Sequence, residues 1–205
     1  MRDLFALDAP PAATEARHKV FFALRPPRDV AERVVRFAQR LREAHGLTGR
    51  PTPADRLHIS LNGLGRFASV PDGLPAAASQ AMAGVEWPAF TIALDRCGSW
   101  GRAGARPLVL CADDGVIGVR GLHAALHARL VEAGLVRPRV GAFEPHLTLL
   151  RDPAAVALAP VLPFAWQVDE VVLLDSRHGE GRHDVLGRWT LARREPPPRR
   201  AAPVS

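Results

Sequence analysis

Leu57-His58-Ile59-Ser60-Leu61 in the first half of the chain is matched by Pro145-His146-Leu147-Thr148-Leu149 in the second half. Both stretches read His-x-(Ser/Thr)-Leu, with apolar residues at alternate positions. Side chains of a β-strand point alternately to opposite faces of the sheet. We therefore predict two strands, each of which buries its apolar side chains on one face and presents a histidine and a hydroxyl on the other.

The elements around the two stretches follow the same order in both halves. Apolar runs and helical periodicity predict strands at 20–24, 57–64, 90–94, 108–111, 147–150, 166–174 and 185–191, and helices at 28–45, 74–86 and 116–133. Each half thus reads strand, long helix, strand with a histidine, further strand. This order predicts an α+β fold of duplicated β-α-β-β units, with antiparallel-rich sheets and the helices outside. A doubly wound parallel sheet is the alternative, although that architecture usually has more helices.

The composition is that of a globular protein. Of the 205 residues, 47% are hydrophobic and 23% are charged, and the longest apolar stretch, 154–166, is too short to cross a bilayer. Cys97 and Cys111 cannot form a disulfide framework and lack the spacing of a zinc site. The N-terminus does not read as a signal peptide. We expect a cytoplasmic protein with no membrane segment.

The two ends of the chain differ in composition from the body. Residues 1–17 are rich in Ala and Pro and are predicted to be a flexible extension, and residues 193–205 are predicted to be a disordered Arg- and Pro-rich tail. The folded domain is expected at 18–192. The formal charge is +6. Because part of it lies on the tail, the charge is weak evidence for a nucleic-acid surface.

Two facing histidine–hydroxyl pairs suit the opening of a cyclic phosphodiester. That reaction needs a base for the attacking water and an acid for the departing oxygen, and histidine can do either at neutral pH. Each such proton transfer contributes about 10²–10⁴-fold. The Ser60 and Thr148 hydroxyls can donate to the phosphate oxygens. No carboxylate cluster accompanies them, so neither a metal nor another cofactor is predicted.

These residues resemble the 2H phosphoesterase superfamily, and within it the bacterial RNA 2′,3′-cyclic phosphodiesterases, also called 2′-5′ RNA ligases. The resemblance covers about residues 18–192. Besides the two motifs it rests on short matches at 20–24, 50–51, 54–61, 143–151, 174–176, 181–182 and 186–189.

The resemblance implies a bilobal fold with a V-shaped cleft and metal-independent hydrolysis of a 2′,3′-cyclic phosphate to a 2′-phosphate, with reversible 2′-5′ ligation. It implies that His58 protonates the departing 3′ oxygen and that His146 activates water. Ser60, Thr148 and Arg151 would hold the phosphate. The expected partner is RNA or a nucleotide with a 2′,3′-cyclic phosphate end, and the expected oligomeric state is a monomer.

Three positions need separate comment. Strand alternation places Arg151 on the face opposite His146, so a bulge or the end of the strand must bring it round. Phe22 is a candidate for stacking on a base, with core packing as the alternative. Asn62-Gly63 and His183 stand where the family commonly has aromatic residues, which affects how the nucleoside is held.

Other interpretations remain open. The substrate could be another cyclic phosphodiester or a 2′-5′-linked oligonucleotide, and the same cleft would also serve a nonenzymatic RNA-end binding protein. His123 and His127 have helical spacing, but position 124 is Ala where the zinc signature needs Glu, so we interpret them as partly exposed residues rather than metal ligands. Trp100 could reach the cleft or simply pack, and we interpret it as a packing residue.

Overall fold

The computed structural model describes residues 16–101, 104, 106–138 and 141–192. Residues 1–15 and 193–205 lie outside that description, and with them nearly all of the predicted N-terminal extension and the whole predicted tail. Within the described ranges, no helix is long and apolar enough to cross a membrane.

Eight strands and three α-helices make up the described part of the chain. In order they are β1 (His18–Leu24), α1 (Arg28–Ala44), β2 (Ile59–Phe67), α2 (Leu74–Ala83), β3 (Phe90–Ser99), β4 (Arg106–Cys111), α3 (Ile117–Glu132), β5 (Leu147–Asp152), β6 (Ala159–Val168), β7 (Glu170–Arg177) and β8 (Arg182–Thr190). A short 3-10 turn, Ala54–Arg56, precedes β2. The predicted helix 28–45 is confirmed, and Gly46 ends it with φ 60°, a left-handed conformation that favours glycine.

The strands form one antiparallel sheet in the order β6-β3-β4-β5-β2-β1-β7-β8. Neighbouring strands are antiparallel throughout, so the α+β prediction is confirmed and the doubly wound parallel alternative is wrong. Two sheets were expected. The structure instead joins two half-sheets, β2-β1-β7-β8 and β5-β4-β3-β6, by one pairing between β2 and β5, of Ile59 with Leu147. The V shape of the cleft stays a prediction.

The two half-sheets interleave along the chain, which the simple repeat did not predict. β3 follows β2 in sequence but pairs with β4 and β6 in the other half-sheet. The last two strands, β7 and β8, form a hairpin that pairs with β1 and so belongs to the first half-sheet. A short connection links β3 to β4, and such neighbours in sequence pair readily as antiparallel hairpins.

The predicted strand 166–174 is wrong, because it is two strands that meet at Asp169. β6 is an edge strand in which buried Phe164, Trp166 and Val168 alternate with exposed residues. β7 is an interior strand in which five consecutive residues, 171–175, are buried. An edge strand covered on one face shows alternation, whereas a strand covered on both faces reads as a continuous apolar run.

The main hydrophobic core lies between the sheet and the helices. It takes Val20, Phe22 and Leu24 from β1. The intervening residues of the same strand, Phe21 and Ala23, form a second, smaller cluster with Val172 and Leu174 of β7 on the opposite face. We call this opposite face the site face, because both histidine motifs open onto it.

Candidate active site

The two histidine motifs are neighbours across the junction of the half-sheets. Ile59 pairs with Leu147 in an antiparallel register, and both side chains are completely buried. In such a register, position 58 lies across from 148 and position 60 across from 146. All four of these side chains are partly exposed. The predicted separation of apolar and functional faces is therefore confirmed, and each histidine lies beside the hydroxyl of the other motif.

Each histidine ring is held by the carbonyl two residues before it. His58 Nδ1 lies 2.8 Å from the Arg56 oxygen, and His146 Nδ1 lies 2.9 Å from the Glu144 oxygen. A carbonyl can only accept, so Nδ1 donates in both contacts and carries the proton of the neutral ring. This leaves Nε2 of each histidine as the nitrogen that can take up or deliver a proton.

The surroundings of His58 disfavour its charged form. Burial is the main cause that lowers the pKa of His58 to about 4; the hydrogen bond to the Arg56 carbonyl opposes the shift, and the nearby charges of His183, Lys19 and His146 add to it. In the free protein, His58 is therefore neutral at pH 7. A negative charge placed next to the ring would favour the imidazolium and raise the pKa of His58.

Three aromatic rings enclose the histidines. Phe21 lies 5.0 Å from His58 between ring centroids, and His183 lies 5.2 Å from His58. On the other half-sheet, half-buried Trp100 lies 4.8 Å from His146. Trp100, interpreted from sequence as a packing residue, thus contacts the second motif. Burial, followed by the charges of Arg56 and Arg25, also lowers the pKa of His183.

Phe22 does not face this site. Its side chain is completely buried in the main core, where its ring lies 5.5 Å from Trp189. The suggestion that Phe22 stacks on a base is wrong, and its alternative, core packing, is correct. Phe21 is the β1 phenylalanine on the site face, and it is 2% exposed.

A β-bulge brings Arg151 to the site face. Leu108 pairs with Leu150 but Val109 pairs with Thr148, so Leu149 is an extra residue in β5. Leu149 and Leu150 are consequently both buried, and Arg151 after them is exposed. The bulge reverses the alternation and puts Arg151 on the same face as Thr148. The positive charge of Arg151 acts on Lys19 of β1. The pKa of Lys19 is lowered mainly by burial, then by the charge of Arg66 and then by that of Arg151.

A buried carboxylate fixes the end of β5 next to Arg151. Asp152 Oδ2 accepts hydrogen bonds from the backbone N–H groups of Thr48 and Gly49, both at 2.7 Å. Asp152 Oδ1 accepts from Ala154 N at 2.8 Å. These bonds hold the pKa of Asp152 below its ordinary value and tie the loop after α1 to the strand that carries Arg151.

His123 and His127 lie on α3, whose buried apolar residues belong to the main core. Their rings stack 5.9 Å apart on α3, and His123 also stacks on Phe143 at 3.8 Å. His123 is buried rather than partly exposed as predicted. Among the described residues, no group of three His, Cys, Asp or Glu side chains is placed to hold a metal ion.

Comparison with known proteins identifies the family. The model of the 2′-5′ RNA ligase superfamily matches residues 26–180. The chain is 30% identical over 178 residues to the RNA 2′,3′-cyclic phosphodiesterase of Escherichia coli K12, covering 84% of this chain and 96% of that protein.

Solved structures agree with the sequence comparison. E. coli LigT in its apo form superposes with a TM-score of 0.71 at 31% identity, over 85% of this chain and 98% of that one. LigT complexed with 3′-AMP gives the same TM-score at 30% identity and the same coverage. A Thermus thermophilus protein shares the fold, with a TM-score of 0.69 at 22% identity over 86% of this chain and 100% of that one. The chain therefore belongs to the 2′-5′ RNA ligase superfamily.

Proposed function

We propose that this protein hydrolyses the 2′,3′-cyclic phosphate at RNA ends to a 2′-phosphate without a metal ion. The observation that carries the proposal is the pairing of Ile59 with Leu147, which sets two histidine–hydroxyl pairs side by side on one exposed face. The similarity to an E. coli protein named RNA 2′,3′-cyclic phosphodiesterase supports it. So do the E. coli LigT structures in complex with 3′-AMP and with phosphate.

In the proposed reaction, water attacks the phosphorus while His146 Nε2 takes its proton. The bond from phosphorus to the 3′ oxygen breaks, and His58 Nε2 delivers a proton to that oxygen. The 2′ oxygen keeps the phosphate. In the same site, a 5′-hydroxyl in place of water would give a 2′-5′ linkage, which is the ligation direction.

Three further groups serve the phosphate in this proposal. The Ser60 and Thr148 hydroxyls donate to its non-bridging oxygens, where negative charge grows in the transition state. Arg151 supplies a fixed positive charge from the bulge of β5. Donors of this kind are each worth about 10²–10³-fold when they are removed from an active site.

His58 can act as the general acid only if it becomes protonated when the substrate binds. A general acid must be protonated, and His58 with a pKa of about 4 is neutral at pH 7. The negative charge of the cyclic phosphate stabilises the imidazolium, so substrate binding and protonation of His58 are coupled. We expect the protein to act as a cytoplasmic monomer. The two cysteines, Cys97 and Cys111, are free thiols and buried, as is usual for a protein in a reducing compartment.

The test uses a 2′,3′-cyclic mononucleotide in the presence of EDTA. Formation of a 2′-phosphate, followed by ³¹P NMR, is the expected result. His58→Ala and His146→Ala should each lower kcat/KM by about 10²–10⁴-fold. The control is His45→Ala, an exposed histidine at the end of α1, which should leave the rate unchanged.

Other outcomes would overturn the proposal. Binding without turnover, unaffected by either substitution, would indicate an RNA-end binding protein. Turnover that EDTA abolishes would contradict the metal-free reaction. Turnover confined to a different cyclic phosphodiester or to a 2′-5′-linked dinucleotide would give the site another substrate.

A further inference from the structure

A row of polar side chains crosses the site face of the first half-sheet. Lys19 on β1 pairs with Arg66 on β2 and with Ser176 on β7, and Ser176 pairs in turn with His183 on β8. The side chains of residues paired in this way point to the same face of the sheet. Lys19 lies two positions before Phe21 and four before Ala23, so strand alternation puts all three side chains on the site face. All four side chains are at least partly exposed. The row therefore offers two cations, a hydroxyl and an imidazole side by side.

Two of the nearby carboxylates, Asp175 and Asp184, lie on the other face of β7 and β8, and the charge of a third, Asp55 in the turn before β2, acts on His183. Asp175 pairs with Asp184 between β7 and β8, one position away from the row. Asp175 contacts His18 at 2.7 Å, and Asp184 contacts Arg177 and Arg182 at 2.9 Å. Among the described residues, no carboxylate forms an ion pair with Lys19 or Arg66. The positive charge of the row is thus left for a ligand.

The row lies beside the reacting centre. Lys19 Nζ is 5.0 Å from the centroid of Phe21, and the Phe21 ring is 5.0 Å from the His58 ring. His183, at the other end of the row, is also in ring contact with His58. The charges of Arg66 and Arg151, after burial, lower the pKa of Lys19, as expected where cations converge without anions.

We propose that Arg66, Lys19, Ser176 and His183 form a second phosphate subsite, which binds the phosphodiester that joins the terminal cyclic nucleotide to its 5′ neighbour. An RNA end of two or more nucleotides is then a better substrate than a cyclic mononucleotide. The inference rests on the proposed function, because it places the cyclic phosphate at His58 and His146. Arginine and lysine are the side chains that most often neutralise backbone phosphates.

The experiment compares two dinucleotides that end in a 2′,3′-cyclic phosphate and differ only at the internal linkage. One carries the natural phosphodiester and the other an uncharged methylphosphonate. The measured quantity is the ratio of their kcat/KM values. We expect the wild-type protein to favour the charged linkage by about tenfold or more, since hydrogen bonds to a charged acceptor are about twice as strong as neutral ones. The ratio cancels any effect of a variant on His58 itself.

Arg66→Gln and Lys19→Gln should each reduce this ratio toward 1. Each should also flatten the salt dependence of log kcat/KM for the charged dinucleotide by a slope of about 0.7, as expected for one lost phosphate contact on a single strand. The control is Arg40→Gln, which removes the same charge from the exposed side of α1 and should leave the ratio at its wild-type value.

Three results would overturn the inference, and they are distinguishable. Turnover of both dinucleotides at equal kcat/KM by the wild-type protein would contradict the subsite and leave the proposed function intact. A wild-type preference that survives in both variants would place the second phosphate elsewhere. Failure to turn over either dinucleotide would contradict the proposed function and the subsite with it.

Discussion

Ile59 of β2 and Leu147 of β5 are cross-strand partners, and they form the pairing that joins the two half-sheets. Both side chains are completely buried. Each lies between the histidine and the hydroxyl residue of its own motif. The spacing between the two motifs is therefore set by a contact in the core, on the face opposite the site.

This relationship predicts that Leu147 is a positioning residue as well as a core residue. Leu147→Ala should lower the free energy of unfolding by about 2–5 kcal/mol. It should also reduce kcat/KM per folded molecule by about tenfold or more, because a misplacement of about 1 Å can cost about 10²-fold. Urea unfolding and kinetics at low temperature, where the variant stays folded, measure the two effects separately.

The control for this prediction is Leu173→Ala, an equally buried leucine in β7. It should lose similar stability and keep its activity per folded molecule. Equal losses of activity in the two variants would contradict the special role of the Ile59–Leu147 pair.

The assignment of acid and base can be tested with a substrate whose leaving group needs no proton. In a 2′,3′-cyclic phosphate with sulfur in place of the 3′ bridging oxygen, the leaving group departs as a thiolate. His58→Ala should therefore regain most of the activity that it loses on the oxygen substrate, whereas His146→Ala should remain impaired on both. Thiol release measured with a chromogenic reagent gives the rates. Rescue of His146→Ala instead would exchange the two roles.

The pKa of His58 predicts how stability depends on pH. The folded pKa is about 4 and the unfolded value is about 6.5, so the unfolded chain binds more protons between these values. The free energy of unfolding therefore rises with pH through this window, and the contribution of His58 is lost as pH falls from 6.5 toward 4. The loss between pH 7 and pH 5 is about 2 kcal/mol for this one group.

His58→Asn removes this titration, so the difference between wild type and variant in urea unfolding should change by that amount between pH 7 and pH 5. NMR titration of the His58 ring should give a pKa near 4 in the free protein and a higher pKa with a 2′-nucleotide bound. A pKa at or above 6.5 in the free protein would contradict the desolvation of this ring.

The functional pairs could be predicted from sequence because alternation alone decides them. In both motifs an apolar residue separates the histidine from the hydroxyl, and burial of Ile59 and Leu147 leaves one outcome for their neighbours. Arg151 could not be placed in the same way, since its face depends on the extra residue Leu149, and that bulge is visible only against the partner strand β4.

Local sequence patterns likewise could not predict that the two half-sheets interleave along the chain. The sequence of β3 predicts a strand but does not indicate which half-sheet it joins. That choice depends on its partners, β4 and β6. The row of Arg66, Lys19, Ser176 and His183 depends on strands that are distant in sequence, so no spacing along the chain indicates it.

Phe21 and Phe22 provide a matched test of which face of β1 serves the site. Both side chains are buried and apolar, so sequence alone could not separate them; the structure puts Phe21 against His58 and Phe22 against Trp189. Phe22→Leu should cost about 0.5–3 kcal/mol of stability and leave kcat/KM per folded molecule unchanged. Phe21→Leu should lower kcat/KM and raise the pKa of His58 toward its ordinary value, because water gains access to the ring that Phe21 covered. NMR titration and kinetics of the two variants measure this difference, and a pKa of His58 that moves in Phe22→Leu but not in Phe21→Leu would reverse the assignment of the faces.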